Sequence, residues 1–307
     1  MTDDELRWDH VPQLRSPILL AAFEGWNDAG DGASMALGHI GSMWDAKEFA
    51  AIEAEDFFDF SSTRPTVRLT DGERVIEWPE NSFSAMRIPD HSHDFVLLKG
   101  NEPQLRWKSF CAHVLEVAKR LEVKMVVTLG ALLADVPHTR PVRITATGIS
   151  PEMIDRYDLQ RSRYEGPTGI VGVLHDSFAQ AGIASCSLWA AVPHYLPGTP
   201  SPKAALALIE RASDLLNLRI PTLALEIAAA QYERQVNEVI EADDDMIAYV
   251  QRLEEGHDSG DDLDDDDEDD LDPIGDEPSL KGVDGRLPSG EELAAELEEF
   301  LRDNGSK

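Results

Sequence analysis

Two segments of this 307-residue chain run from an apolar stretch into the triplet Val-Pro-His. VVTLGALLADVPHTRP delivers His138 and Arg140, and CSLWAAVPHYLPGTP delivers His194 and Tyr195. Imidazole, guanidinium and phenol are groups that move protons or hold an anion. If both triplets leave the carboxyl ends of neighbouring parallel strands, their loops converge on one crevice. A third loop, FEGWNDAGDGAS, would carry Asp28 and Asp31 to the same place. The candidate crevice is therefore Asp28, Asp31, His138, Arg140, His194 and Tyr195. The plainer alternative is that turn prolines happen to precede histidines, and that Asp31 stands near the start of the next helix in a tight turn.

The glycines of that third loop invite comparison with a phosphate loop. Gly25, Gly30 and Gly32 fit neither the dinucleotide fingerprint nor the GK[ST] pattern, and Glu24, Asp28 and Asp31 surround them. Carboxylates there already satisfy the helix dipole that a phosphate would use. A better anion site is DLQRSRYEGPTGIVG, where Arg161 and Arg163 precede Thr168, Gly169 and Gly172 at a helix start. A solvated turn is the competing reading. His91 and His93 alternate as metal ligands on a strand do, but no third ligand is evident. No GxSxG, HExxH or CxxC pattern occurs. No metal and no cofactor are expected.

Elements must hold these residues in place. Apolar runs at 18–23, 49–53, 95–99, 125–129, 142–147 and 184–190 predict strands. Helical spacing at 33–44, 104–121, 169–180 and 202–216 predicts helices between them. TVRLTDGERVIEW alternates around Asp71-Gly72 and predicts a hairpin. The expected fold is a three-layer α/β/α sandwich with a mostly parallel sheet, a hairpin insertion and a C-terminal helical subdomain. The boundaries expected are 1–221 for the sandwich and 222–255 for the helices packed on it. An acidic disordered linker is expected at 256–288, then a short amphipathic helix and tail at 289–307.

In the helical stretch, Tyr232, Val236, Val239 and Val250 follow a three-four spacing that Asp243 interrupts. Either Asp243 caps a second helix or it marks a polar layer in one long helix. The stripe packs on its own body or on another copy. Leu297 and Phe300 form a second stripe in SGEELAAELEEFLRD, where Ser289 and Glu292 make a capping box.

The chain carries a net charge of −32, and residues 241–307 account for −21 of it (26 acidic, 5 basic). The remainder is −11, so both parts repel phosphate backbones and anionic membranes. No apolar run is long enough to span a bilayer. The start, MTDDELRWDH, lacks the basic residues and apolar core of a secretion signal, and two distant cysteines suit a reducing compartment. A cytoplasmic protein is expected, with neither nucleic acid nor membrane as partner.

Four blocks, GWNDAGDGAS, LGALLADVPHTRP, YEGPTGIVGVLH and AAVPHYLPGTPSPKAAL, resemble those of the proteasome assembly chaperone 2 family, most closely its actinobacterial members. The resemblance covers roughly residues 14–255. It implies a sandwich related to purine nucleoside phosphorylases and some hydrolases, a helical subdomain, and assembly into small homo-oligomers. It also implies protein partners, proteasome-related in some relatives. The chain ends Asn304-Gly305-Ser306-Lys307, not in the hydrophobic-tyrosine-any tripeptide of some archaeal relatives, so docking by that route is not expected. The expected function is a non-catalytic, oligomeric, assembly-chaperone-like interaction protein. The alternative is an enzyme or small-molecule binder working in the crevice.

Overall fold

The structure, a computed structural model, describes residues 5–70 and 72–259. Its frame is β2 (Ile18–Glu24), β7 (Phe95–Asn101), β8 (Met125–Ala134) and β10 (Ala184–Pro193), which lie side by side and parallel. Each is an almost continuous apolar run because both of its faces are covered. In β2, Ile18, Leu20 and Ala22 point into one core layer, under α1 (Gly32–Met43) and α5 (Pro202–Leu216). Leu19, Ala21 and Phe23 point into the other, under α2 (Trp107–Arg120) and α4 (Ile170–Gln180). This is the expected α/β sandwich, with the parallel part at its centre.

The margins of the sheet are antiparallel. One side adds β6 (Asn81–Met86), β3 (Lys47–Ile52) and the three-residue β1 (Leu6–Trp8); the other adds β9 (Ile144–Gly148). β1, β6 and α3 (Pro151–Tyr157) were not among the expected elements. α3 is announced by Ser150-Pro151-Glu152, since Ser150 Oγ accepts the Met153 amide at 3.2 Å and Pro151 opens the helix. β6 reads NSFSAM, too rich in serine for apolar alternation to stand out. Its pairing with β3 and β7 makes it a strand.

The expected hairpin is β4 (Thr66–Thr70) and β5 (Glu73–Glu77), paired with each other and, among the described residues, with no other strand. After α5 the chain forms two helices, α6 (Leu223–Ile240) and α7 (Asp244–Ser259). Asp243 divides them: its Oδ1 accepts the amides of Asp245 at 2.9 Å and Met246 at 3.2 Å, which caps α7. α7 continues to Ser259, so residues 256–259, placed at the start of the expected linker, are helical. The remainder of the acidic stretch and the segment carrying Leu297 and Phe300 lie outside the described residues. Among those described, no helix is long and apolar enough to cross a membrane.

Candidate functional site

The loops that leave the carboxyl ends of β2, β7, β8 and β10 do gather at one edge of the sheet, and the chain's own side chains fill what lies between them. β2 leads through Gly25–Asp28 into a 3-10 turn, Ala29–Asp31, and then α1. Gly30 and Asp31 are both left-handed, at φ 59° and 52°. This reversal tucks Asp28 beneath the start of α1, where Oδ1 accepts the Ala33 amide at 2.6 Å and Oδ2 accepts that of Ser34 at 3.2 Å. Burial raises the Asp28 carboxyl above its ordinary range, against the lowering effect of these hydrogen bonds. Asp31 was expected near the helix start as its carboxylate. It is exposed there, and its side chain makes no capping bond. Asp28 does that work instead.

α4 begins in the same way. Glu102, just past β7, presents Oε1 to the Ile170 amide at 2.7 Å and to Asn27 Nδ2 at 2.7 Å. A methyl group at Gly169 would stand 2.2 Å from Asn27 Oδ1 and 2.8 Å from Glu102 Oε1. One at Gly172 would stand 2.1 Å from Thr168 Oγ1. These two glycines therefore admit the protein's own side chains. The expected anion pocket of Arg161, Arg163, Thr168, Gly169 and Gly172 is corrected on this point, because a carboxylate already occupies the helix end. Arg161, Arg163 and Thr168 are exposed. Glu102 was missed in the sequence, although Asn101-Glu102-Pro103 directly follows a strand.

The two Val-Pro-His loops do meet. His138 is buried, with Nδ1 2.7 Å from the Tyr195 hydroxyl and Nε2 2.9 Å from Asn237 Oδ1 of α6. The Tyr195 oxygen accepts the His138 amide at 2.8 Å, which leaves its own hydrogen for Nδ1. Nε2 therefore carries the ring proton and donates it to Asn237. Burial lowers the His138 pKa, which favours this neutral form, and burial pushes the Tyr195 phenol up to about 12. Lys203 donates to the His138 carbonyl and lies 2.8 Å from Glu233 Oε2 of α6. Arg140 grips α7, at 2.6 Å from Asp258 and 3.1 Å from Glu254. His194 Nδ1 lies 2.7 Å from Asp135 Oδ1, and its ring meets Tyr195 and Tyr249 edge-on.

The space left is a cavity of about 10 Å³, lined by His138, Arg140, Ser201, Lys203, Tyr232 and His257 among others. That is room for about one water. The Asp28 turn reaches this group only at its flank, where the Ser201 amide donates to the Gly30 carbonyl at 2.7 Å. A general base needs a free lone pair facing substrate. Both His138 nitrogens are engaged within the chain. The cluster fastens α6 and α7 to the strand ends.

The model of the family described as PAC2 matches residues 22–240. The chain belongs to the PAC2 family. A PAC2 family protein from Streptomyces avermitilis is 46% identical, with 76% of this chain and 99% of that one aligned at a TM-score of 0.72. A proteasome-assembly chaperone homologue from Mycobacterium tuberculosis is 43% identical, over 76% and 99% of the two chains, at 0.70. An archaeal proteasome activator from Pyrococcus furiosus shares the fold at 20% identity, over 76% and 97%, at 0.64. No curated protein matches.

Within this PAC2 chain the apolar stripe of α6 and α7 packs on its own body. Tyr232, Val236 and Val250 pack with Ile240 in a small core that Tyr195, Leu196, Met246 and Ile247 complete. Val239 alone of the four faces out, at 70% exposure. Of the two readings of the stripe, packing on its own body holds for three of these four residues, which fasten the helical hairpin. The surface that sequence reading passed over is the β4–β5 ribbon. Every residue of both strands is exposed, including Val67, Leu69, Val75 and Ile76, and Leu69 reaches 75%. Its alternating pattern was visible. What the pattern could not show was that no third strand or helix among the described residues covers it.

Proposed function

We propose that this PAC2 protein is a non-catalytic interaction protein that works as an oligomer of identical copies in an assembly-chaperone-like role, with the β4–β5 ribbon as the contact between copies. The ribbon is the observation that carries the reading. A lone two-stranded hairpin is marginally stable in water and needs a third strand or a packing surface. Val67 and Leu69 share one face of β4, and Ile76, opposite Val67, adds to it from β5. The ribbon's unpaired edges invite strand addition. A second copy supplies an identical edge and face. The name of the Mycobacterium tuberculosis relative makes proteasome subunits the first protein partner to test. Two buried, unpaired cysteines, Cys111 and Cys186, favour a reducing cytoplasm.

Light scattering at micromolar concentration tests the oligomer. The expected result is a mass above the monomer that falls to the monomer in Leu69→Lys/Ile76→Lys, with an unchanged far-UV circular dichroism spectrum because both side chains are exposed on the single chain. A monomeric wild type overturns the oligomeric reading. An oligomer that the double substitution leaves intact moves the contact to another surface.

A further inference from the structure

α1 packs over β2, β7 and β8, and β6, the next strand out, presents Ser82 and Ser84 beside it. Between the helix and these strands lies an open groove of about 350 Å³. That is the lower end of the range for small-molecule sites, roughly 300–1,000 Å³. Its polar side follows from the register of the sheet. Leu97 of β7 points into the core layer under α1, so Lys99, two residues on, shares its face. In the antiparallel β6–β7 ladder Ser84 stands opposite Leu97, and Ser82 opposite Lys99. Opposed Cβ atoms lie about 4.5–5.5 Å apart, so two hydroxyls and an ammonium are brought to one place. The ion-pair partner of Lys99 among the described residues is Glu24, at 3.9 Å, and both side chains are 47% exposed. That is beyond hydrogen-bond reach, so the ammonium has donors to offer.

The helix wall of the groove contains two interior glycines, Gly38 and Gly41. Glycine inside a helix is less stable than alanine, so each position calls for a reason. Packing supplies one at Gly41, where a methyl group would stand 3.0 Å from Leu97 Cδ1. At Gly38 a methyl group would meet only Lys99 Nζ, at the ordinary contact distance of 3.8 Å. The chain's own packing makes no use of the missing side chain there. What its absence does is open the groove beside the ammonium. Leu37, Ala46 and Leu97 give the rest of the groove an apolar surface.

We propose that this groove binds a small monocarboxylate with a short apolar body. The carboxylate pairs with Lys99 and accepts hydrogen bonds from Ser82 and Ser84, and the apolar part lies along Leu37, Leu97 and Ala46. One ammonium beside Glu24, in a chain of net charge −32, matches a single negative charge and not a phosphate. Glu24 competes with the guest for that ammonium. The groove shares no residue with the His138 cluster or the β4–β5 ribbon, so this inference is independent of the oligomer contact.

The test is a titration of hexanoate with the full chain, read from the NMR signals of the small molecule, with hexanol as the uncharged control. The hexanoate signals should broaden saturably. Hexanol should bind about tenfold more weakly, because it cannot make the charge-assisted hydrogen bonds. Lys99 is half exposed, so Lys99→Met should keep the fold and abolish the broadening. Gly38→Leu should abolish it too, by filling the groove. Glu24→Gln should tighten binding severalfold, by removing the rival carboxylate. Far-UV circular dichroism checks the fold of each variant. No broadening with the wild type, equal binding of hexanoate and hexanol, or broadening that survives Lys99→Met overturns the proposal.

Discussion

Glu102 Oε1 accepts the amide hydrogen of Ile170 at 2.7 Å, so α4 is capped by a carboxylate 68 residues upstream. The bond ties the end of β7 to the start of a helix on the sheet's opposite flank from α1. Glu102→Ala leaves the Ile170 amide and the Asn27 side chain without their acceptor. It should cost about 1–3 kcal/mol, as buried donors that lose a charged acceptor do. Glu102→Gln should recover part of that loss. Urea unfolding of the three proteins decides it, and equal midpoints would remove the capping role.

Gly169 should tolerate no side chain. Its missing Cβ is the space that Asn27 and Glu102 use, so Gly169→Ala should destabilise by about 1–3 kcal/mol through overpacking. Asn27→Ala in the same chain should relieve part of the cost. A non-additive double substitution, read from the unfolding midpoints, is the expected signature.

Asp28 has a pH signature of definite sign. Burial raises its folded-state pKa above the usual carboxylate value of 3.8, so the folded form favours the neutral acid. That contribution is complete below 3.8 and is lost as pH rises through the folded value. Wild type minus Asp28→Asn should therefore lose stability as pH rises above 3.8. A difference that is flat from pH 3 to neutrality (roughly the carboxylate range) would contradict the assignment.

His138 should act in the opposite direction along the pH scale. Burial depresses its folded pKa below 6.5, so the stability it contributes is present above 6.5 and is lost as pH falls towards the folded value. His175 is depressed for the same reason, so the wild type alone does not separate them. Comparison with His138→Gln isolates the first, and its curve should be flatter on the acid side. Tyr195→Phe should cost about 1–3 kcal/mol, because the His138 amide and Nδ1 both lose their partner.

Val236 and Val239 stand three residues apart on α6 and should respond in contrary ways. Val236→Asp places a charge in the core formed with Tyr232 and Val250 and should cost about 3 kcal/mol or more. Val239→Asp is on the surface and should change stability by less than about 0.5 kcal/mol. Thermal unfolding of both variants checks the pair.

The central strands, four long helices and the ribbon were legible because period and length mark them directly. Pro202–Leu216 was readable to the residue, since Ser201-Pro202 opens it and Asn217 closes it in a left-handed turn. β1 and β6 were not legible, because three residues and a serine-rich run carry no period and exist through their partners. The convergence of His138, Arg140, His194 and Tyr195 followed from strand topology. Their role did not, because it depends on Asn237, Glu254 and Asp258, about a hundred residues away in sequence. The stripe on α6 shows the same limit. Spacing identified an apolar face, and only the fold says which body it rests on.

The margins of the eight-stranded sheet bear on where another strand could add to it. β1 is three residues long and carries Arg7, which is engaged with Glu48 and Glu53. Beyond β9, Gln160 exchanges backbone hydrogen bonds with Ala146 and Gly148 and so blocks the opposite edge. Both margins are therefore poor templates for an added strand. The proposed contact between copies falls instead on the small ribbon, whose ten paired residues include Arg68, Arg74, Glu73 and Glu77. Charges of both signs on a short edge would favour one register of the proposed neighbour over endless stacking. The proposed contact is thus kept apart from the sheet margins, where pairing would be open-ended.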